Sequence, residues 1–133
     1  MKKVFCIGVF DMFHYGHLRL LERAKEYGDF LTVGIVIDSS VQELKGVTRP
    51  IIPQYMRYSI IKALKCVDEV FLVADFEVPP LFIEHFDVFV FGEDQDHIMG
   101  KELIPPEKQI VWLPREPSVS TSDIIKRIKN ESC

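Results

Sequence analysis

Lys3-Val4-Phe5-Cys6-Ile7-Gly8-Val9-Phe10-Asp11-Met12-Phe13-His14-Tyr15-Gly16-His17 is the stretch that decides the fold. Lys3 to Ile7 is a short, mostly apolar run closed by Gly8, the pattern of a strand buried on both faces. After a polar turn, Leu18, Leu20, Leu21, Ala24 and Tyr27 recur at helical spacing, and Gly28 sits where a helix C-terminus favours glycine. Strand, turn and helix follow in that order. His14 and His17 frame Gly16 at the start of that helix. A helix start offers unpaired N–H groups and partial positive charge, so it attracts phosphate. Two imidazoles there add donors, and Gly16 admits a ligand close to the backbone. The simpler alternative is a capped helix with two half-exposed histidines. A zinc site fits poorly, because no cysteine or third ligand has suitable spacing.

Outward from this unit the same alternation repeats. Phe30 to Ile37 is a second apolar run, and Asp38 to Ile52 reads as polar and turn-like. Met56, Ile60, Ala63, Leu64 and Val67 line one face of a second helix. Val70 to Val73 is a third strand, and Pro79-Pro80 opens a short helix. Asp87 to Phe91 and Gln109 to Leu113 are the fourth and fifth strands, separated by an irregular stretch. Ser120 and Asp123 form a capping box ahead of Ile124, Ile125 and Ile128 in a last helix. Apolar strands alternating with amphipathic helices predict an α/β fold: one five-stranded parallel sheet with helices on both faces. Ligands of such sheets bind beyond the carboxyl ends of the strands, where strand order reverses.

The chain has 133 residues, enough for a single domain over 1–133, and 47% of them are apolar. Sixteen Lys and Arg stand against twenty Asp and Glu, a net charge of −4, which is no footprint for a nucleic-acid binder. No apolar run reaches the roughly 18 residues a membrane span needs. The apolar stretch near the N-terminus contains Gly8 and stops at Asp11, unlike a signal peptide. Cys6, Cys66 and Cys133 share no ligand spacing and read as reduced thiols, so a cytoplasmic location is expected.

The segment from Gly8 to His17 resembles the signature G-x-F-D-x-x-H-x-G-H of the nucleotidyltransferase superfamily, and specifically its cytidylyltransferase branch. Arg115-Glu116-Pro117-Ser118-Val119-Ser120-Thr121 partly matches a second signature, R-T-x-G-x-S-T. Leu44-Lys45-Gly46, Arg57 and Gly92-Glu93-Asp94 also follow the family, and length is similar to the glycerol-3-phosphate enzymes. The resemblance covers essentially the whole chain. It implies a Rossmann-like domain in which an acceptor phosphate attacks the α-phosphorus of CTP and pyrophosphate leaves. The product expected is a CDP-alcohol, from glycerol 3-phosphate or a related acceptor. The resemblance also implies a homodimer, and Mg²⁺ held mainly by phosphates and water, since the sequence offers no carboxylate cage.

By the same resemblance His14, His17, Lys45 and Arg115 are the catalytic set, with Lys45 reaching in from a loop. Gly8, Phe10, Gly16, Asp94, Ser120 and Thr121 would bind nucleotide. Asp11, Arg57, Gln95 and Glu116 would lie on the acceptor side. Each has a plainer alternative: Lys45 a solvated lysine, Asp94 a turn residue, Ser120 a cap and Asp11 a loop-orienting group. Arg57 could sit at the site edge or at a subunit contact, while Gln95 and Glu116 could face solvent. His85 and His97 match no family position and are expected to be structural or exposed.

Several positions depart from the pattern. Glu116 and Ser118 replace its threonine and glycine, Gln95 stands where glycerol-3-phosphate enzymes have tryptophan, and Ile7 stands where choline enzymes have an acidic residue. Loss of an aromatic face and a carboxylate argues against phosphocholine as acceptor. Leu44 to Pro50 also resembles heptose-phosphate and archaeal FMN adenylyltransferases. An adenylyltransferase acting on heptose 1-phosphate or FMN, or an ethanolamine-phosphate cytidylyltransferase, is therefore the alternative.

Overall fold

Alternation along β1 (Lys3–Gly8) decides how the sheet is covered. In the computed structural model, which describes residues 1–116 and 120–131, Val4 and Cys6 enter one core. That core also holds Leu21 and Ala24 of α1 (Tyr15–Lys25) and Ile61 of α3 (Gln54–Lys62). Phe5 and Ile7 enter the other, with Val41 of α2 (Asp38–Lys45) and Ile83 of α4 (Pro80–His85). A strand with apolar residues at both parities requires helices on both faces, and both are present.

β2 (Phe30–Val36), β3 (Glu69–Val73), β4 (Val88–Gly92) and β5 (Gln109–Leu113) complete a wholly parallel sheet in the order β3-β2-β1-β4-β5. α5 (Thr121–Glu131) follows β5. Successive strands step one way from β1 as far as β3, then β4 returns to the other side of β1. The reversal opens a crevice beyond the carboxyl ends of β1 and β4. The expected five-stranded architecture is the one found.

Two local expectations are corrected. The stretch from Asp38 was read as turn-like, but its first eight residues form α2, ending at Gly46 with φ 99°. Only Val41 and Ser40 are buried in α2, so its apolar period is nearly silent in the sequence. Tertiary partners make the helix instead: the Asp38 N–H donates to Gln54 Oε1 at 2.7 Å, and Ser40 Oγ donates to the Ala74 carbonyl. The second correction concerns α3. Met56 and Ile60 are each 43% exposed, whereas Arg57 and Ile61 are the buried pair. The core-facing stripe lies one residue along from the apolar one, because an arginine with all three side-chain nitrogens hydrogen-bonded occupies it.

Cys6 and Cys66 are free thiols, and burial pushes the Cys6 thiol up to about 12. Cys133 and the 117–119 part of the second signature lie outside the described residues. No helix among the described residues is long and apolar enough to cross a membrane.

Candidate active site

The turn after β1 is strained. Phe10 (φ 56°) and Met12 (φ 50°) both hold left-handed backbone, which costs non-glycine residues of order 1–3 kcal/mol each. Gly8 is required beside them, since a Cβ there would lie 2.9 Å from the Phe10 ring. The strain places His14 as the N-cap of α1.

His14 and His17 cap one another's turn. His14 Nδ1 accepts from the Gly16 N–H at 3.1 Å, and the His14 N–H donates to His17 Nδ1 at 3.2 Å. The two rings stack, with centroids 3.7 Å apart and planes 21° from parallel. With Nδ1 an acceptor in both, each neutral ring carries its proton on Nε2 as a donor. The rings stay neutral near pH 7. Burial, then His14 and Lys45, lowers His17 to about 3, and burial followed by Arg115 lowers His14. Such a pair offers N–H donors without adding fixed charge, leaving charge to the surrounding cations.

Those residues open onto a cleft of about 440 Å³ at the crevice between β1 and β4. Gly8, Phe10, Asp11, His14, Gly16 and His17 line it from the first turn. Lys45 enters from α2, as its last residue rather than from a loop. Asp94 and Gln95 line it after β4, Arg115 and Glu116 after β5, and Ser120 and Thr121 at the start of α5. Thirteen of the fourteen expected site residues therefore share one cleft. Desolvation and Arg49 lower the Lys45 ammonium, against Asp11 and Asp94, which raise it, although the residue as a whole is exposed. Ser120 Oγ accepts from the Asp123 N–H at 3.1 Å, the helix cap expected there. Thr121 Oγ1 donates to the Asp11 carbonyl at 2.8 Å, tying α5 to the first turn.

The acceptor-side residues are largely engaged with the protein itself. Arg57 is the exception to the cleft. At 1% exposure, its Nε donates to the Ile52 carbonyl, Nη1 to those of Val9 and Val36, and Nη2 to Asp38 Oδ1, all between 2.7 and 2.9 Å. It is an internal brace, too deep to meet a ligand. Asp11 borders the cleft, but its carboxylate accepts from the Ile51 and Ile52 N–H groups at 2.7 and 2.8 Å, the loop-orienting alternative. Gln95 does not face solvent either. Its Nε2 donates to the Ile7 carbonyl at 2.9 Å and its Oε1 accepts from the Gly92 N–H at 2.8 Å, bridging the ends of β1 and β4.

Sequence reading missed several lining residues. Arg19, Leu20 and Arg23 continue along α1 from Gly16. Their spacing of three, four and seven from Gly16 is the helical-face signal that could have found them. Arg49, Phe76 and His97 carried no such signal. His97 is exposed as expected, yet it borders the cleft, its ring 5.4 Å from that of Phe76.

Among the described residues no group of three or more His, Cys, Asp or Glu converges to hold a metal ion. Asp94 is exposed at the cleft edge, so a phosphate-borne cation with a water shell is the form these residues fit.

Known proteins share this chain's sequence and fold. It is 38% identical over 135 residues to the bifunctional protein HldE of Campylobacter jejuni (strain RM1221), covering 98% of this chain and 28% of that one. It is 40% identical over 132 residues to the HldE of Helicobacter pylori (strain Shi470), covering 96% and 28%. The chain thus spans under a third of the curated relatives it matches. A solved lipopolysaccharide core biosynthesis protein from Thermoplasma volcanium superposes with a TM-score of 0.69 at 25% identity, over 87% of this chain and 98% of that one. The cytidylyltransferase-like family model matches residues 5–127, so the chain belongs to the cytidylyltransferase-like family.

Proposed function

We propose that the protein is an adenylyltransferase that transfers AMP from ATP to a sugar phosphate such as heptose 1-phosphate, releasing pyrophosphate. The observation that carries this reading is the set of HldE relatives, up to 40% identical over almost the whole chain. The likeness of Leu44 to Pro50 to heptose-phosphate adenylyltransferases supports it. So does the likeness to the Thermoplasma lipopolysaccharide core biosynthesis protein. This revises the expectation of CTP and glycerol 3-phosphate.

The acceptor phosphate is already an anion, so no general base and no covalent enzyme intermediate are needed. One of its oxygens forms a bond to the α-phosphorus. The bond from that phosphorus to the bridging oxygen breaks, and its electron pair leaves on pyrophosphate. The protein's work is positioning and charge stabilisation. His14 and His17 present Nε2–H groups to the α-phosphate oxygens as charge grows there. Lys45 supplies a cation on one side, and Arg115 with the α5 N-terminus holds the leaving pyrophosphate on the other. Mg²⁺ would arrive with the triphosphate and offset part of its charge, with Asp94 nearest to its water shell.

The second reading is the CTP-dependent one, favoured by the likeness of the Ser120 to Ile128 stretch to cytidylyltransferases. Pyrophosphate release with four nucleotides against a panel of phosphorylated acceptors decides between them. ATP with a sugar 1-phosphate is expected to give the highest kcat/KM. CTP with glycerol 3-phosphate exceeding it would restore the second reading.

A further inference from the structure

Gly46 to Ile52 is a short strap between α2 and α3, and the fold spends two of its few buried polar side chains on holding it. Asp11, 5% exposed, receives both the Ile51 and Ile52 N–H groups, and Arg57, 1% exposed, donates to the Ile52 carbonyl. Arg57 also ties that anchor to the Val9 carbonyl in the first turn and, through Asp38, to the start of α2. An exposed connection ordinarily needs no such anchoring. What the strap delivers to the cleft is Arg49, which lines it.

The topology orders the cleft. Lys45 ends α2 and Arg49 follows it on the strap, so both enter from the β2 side of β1, whereas Arg115 follows β5 on the opposite side. The cations therefore flank the His14 and His17 turn after β1, Arg115 on one side and Lys45 with Arg49 on the other. In-line displacement puts the attacking and leaving oxygens on opposite sides of the α-phosphorus. With pyrophosphate at the Arg115 end, the incoming phosphate approaches from the Lys45 and Arg49 end. Arg19 pairs with Glu22 and Arg57 with Asp38, whereas no ion pair among the described residues engages Arg49. Arg23 lies six residues beyond His17 along α1, about 9 Å further from the reacting centre.

We propose that Arg49 binds the phosphate of the acceptor, its guanidinium fork gripping two oxygens while Lys45 balances the third, so that the strap sets the enzyme's preference for a phosphomonoester nucleophile. This rests on the nucleotidyltransferase reading, though not on the identity of base or sugar. A planar fork suits a tetrahedral dianion better than a point charge does.

Arg49→Gln and Arg49→Lys in the full chain test it by steady-state kinetics and by calorimetry. For Arg49→Gln, the acceptor KM should rise about tenfold to a hundredfold, the loss of one or two charged hydrogen bonds, with nucleotide KM nearly constant. Arg49→Lys should recover part of the loss. Calorimetric titration with inorganic phosphate, with and without saturating α,β-methylene-ATP, should show at least tenfold weaker phosphate binding in Arg49→Gln and equal affinity for the analogue. Parallel loss of nucleotide affinity would move Arg49 to the triphosphate and overturn the proposal. Unchanged phosphate binding, or none in the wild type, would also overturn it. A wild type that turns over no nucleotide and acceptor pair, yet loses phosphate binding on Arg49→Gln, would sink the proposed function and leave Arg49 an anion site.

Discussion

His17 Nδ1 receives the backbone N–H of His14, while the two imidazoles lie stacked 3.7 Å apart. One pair of side chains thereby closes the helix start through Nδ1 of each ring. Capping leaves Nε2 of each ring for the phosphate contact proposed above, so the two roles that the sequence posed as alternatives do not compete for one nitrogen.

Replacing either ring separates those roles. His14→Ala and His17→Ala are each expected to lower turnover about a hundredfold or more, the scale of losing a transition-state donor. Loss of the cap should cost about 1 kcal/mol of stability as well. Pyrophosphate release and urea unfolding measure the two effects. A folded double variant with near-normal turnover would refute the assignment.

Acid should destabilise the fold through His17. Its ring has an ordinary value of 6.5 and is lowered to about 3 in the folded chain. Between those values the unfolded chain binds a proton that the folded chain rejects, so stability is fully present above pH 6.5 and declines as pH falls. His17→Gln removes the titrating group while keeping a side chain that can accept the capping N–H. Thermal unfolding across that window should show a flatter decline in His17→Gln than in the wild type. Equal slopes would mean that His17 is not protected from protonation.

Arg57→Ala should cost about 3–5 kcal/mol, because it strands Asp38 and three backbone carbonyls. Chemical denaturation followed by circular dichroism reads this directly. A cost under about 1 kcal/mol, typical of a surface charge, would contradict the bracing role.

Self-association is expected as well. Tyr55, Met56 and Ile60 on α3, with Phe71 and Leu72 on the edge strand β3, expose apolar side chains that a second copy can cover. Light scattering should give twice the chain mass at micromolar concentration. A monomer mass would count against the dimer.

The sequence by itself determined the five strands, most of the helices between them, and the cleft residues contributed by Gly8 to His17 and by Arg115, Glu116, Ser120 and Thr121. These are local signals: apolar runs, a glycine at a strand end, a capping pair. The strand order, and with it the switch point, came from the fold. Tertiary structure decided what Asp11, Arg57 and Gln95 do. Their side-chain hydrogen bonds reach residues up to 41, 48 and 88 positions away, and no periodicity registers a partner that distant. The same reason explains α2, whose helix is completed by Gln54 and Ala74, and the buried stripe of α3. Apolar spacing reports where water is excluded by hydrocarbon. A charged side chain buried by pairing each of its nitrogens leaves no trace in that spacing, and only the folded chain brings its acceptors together.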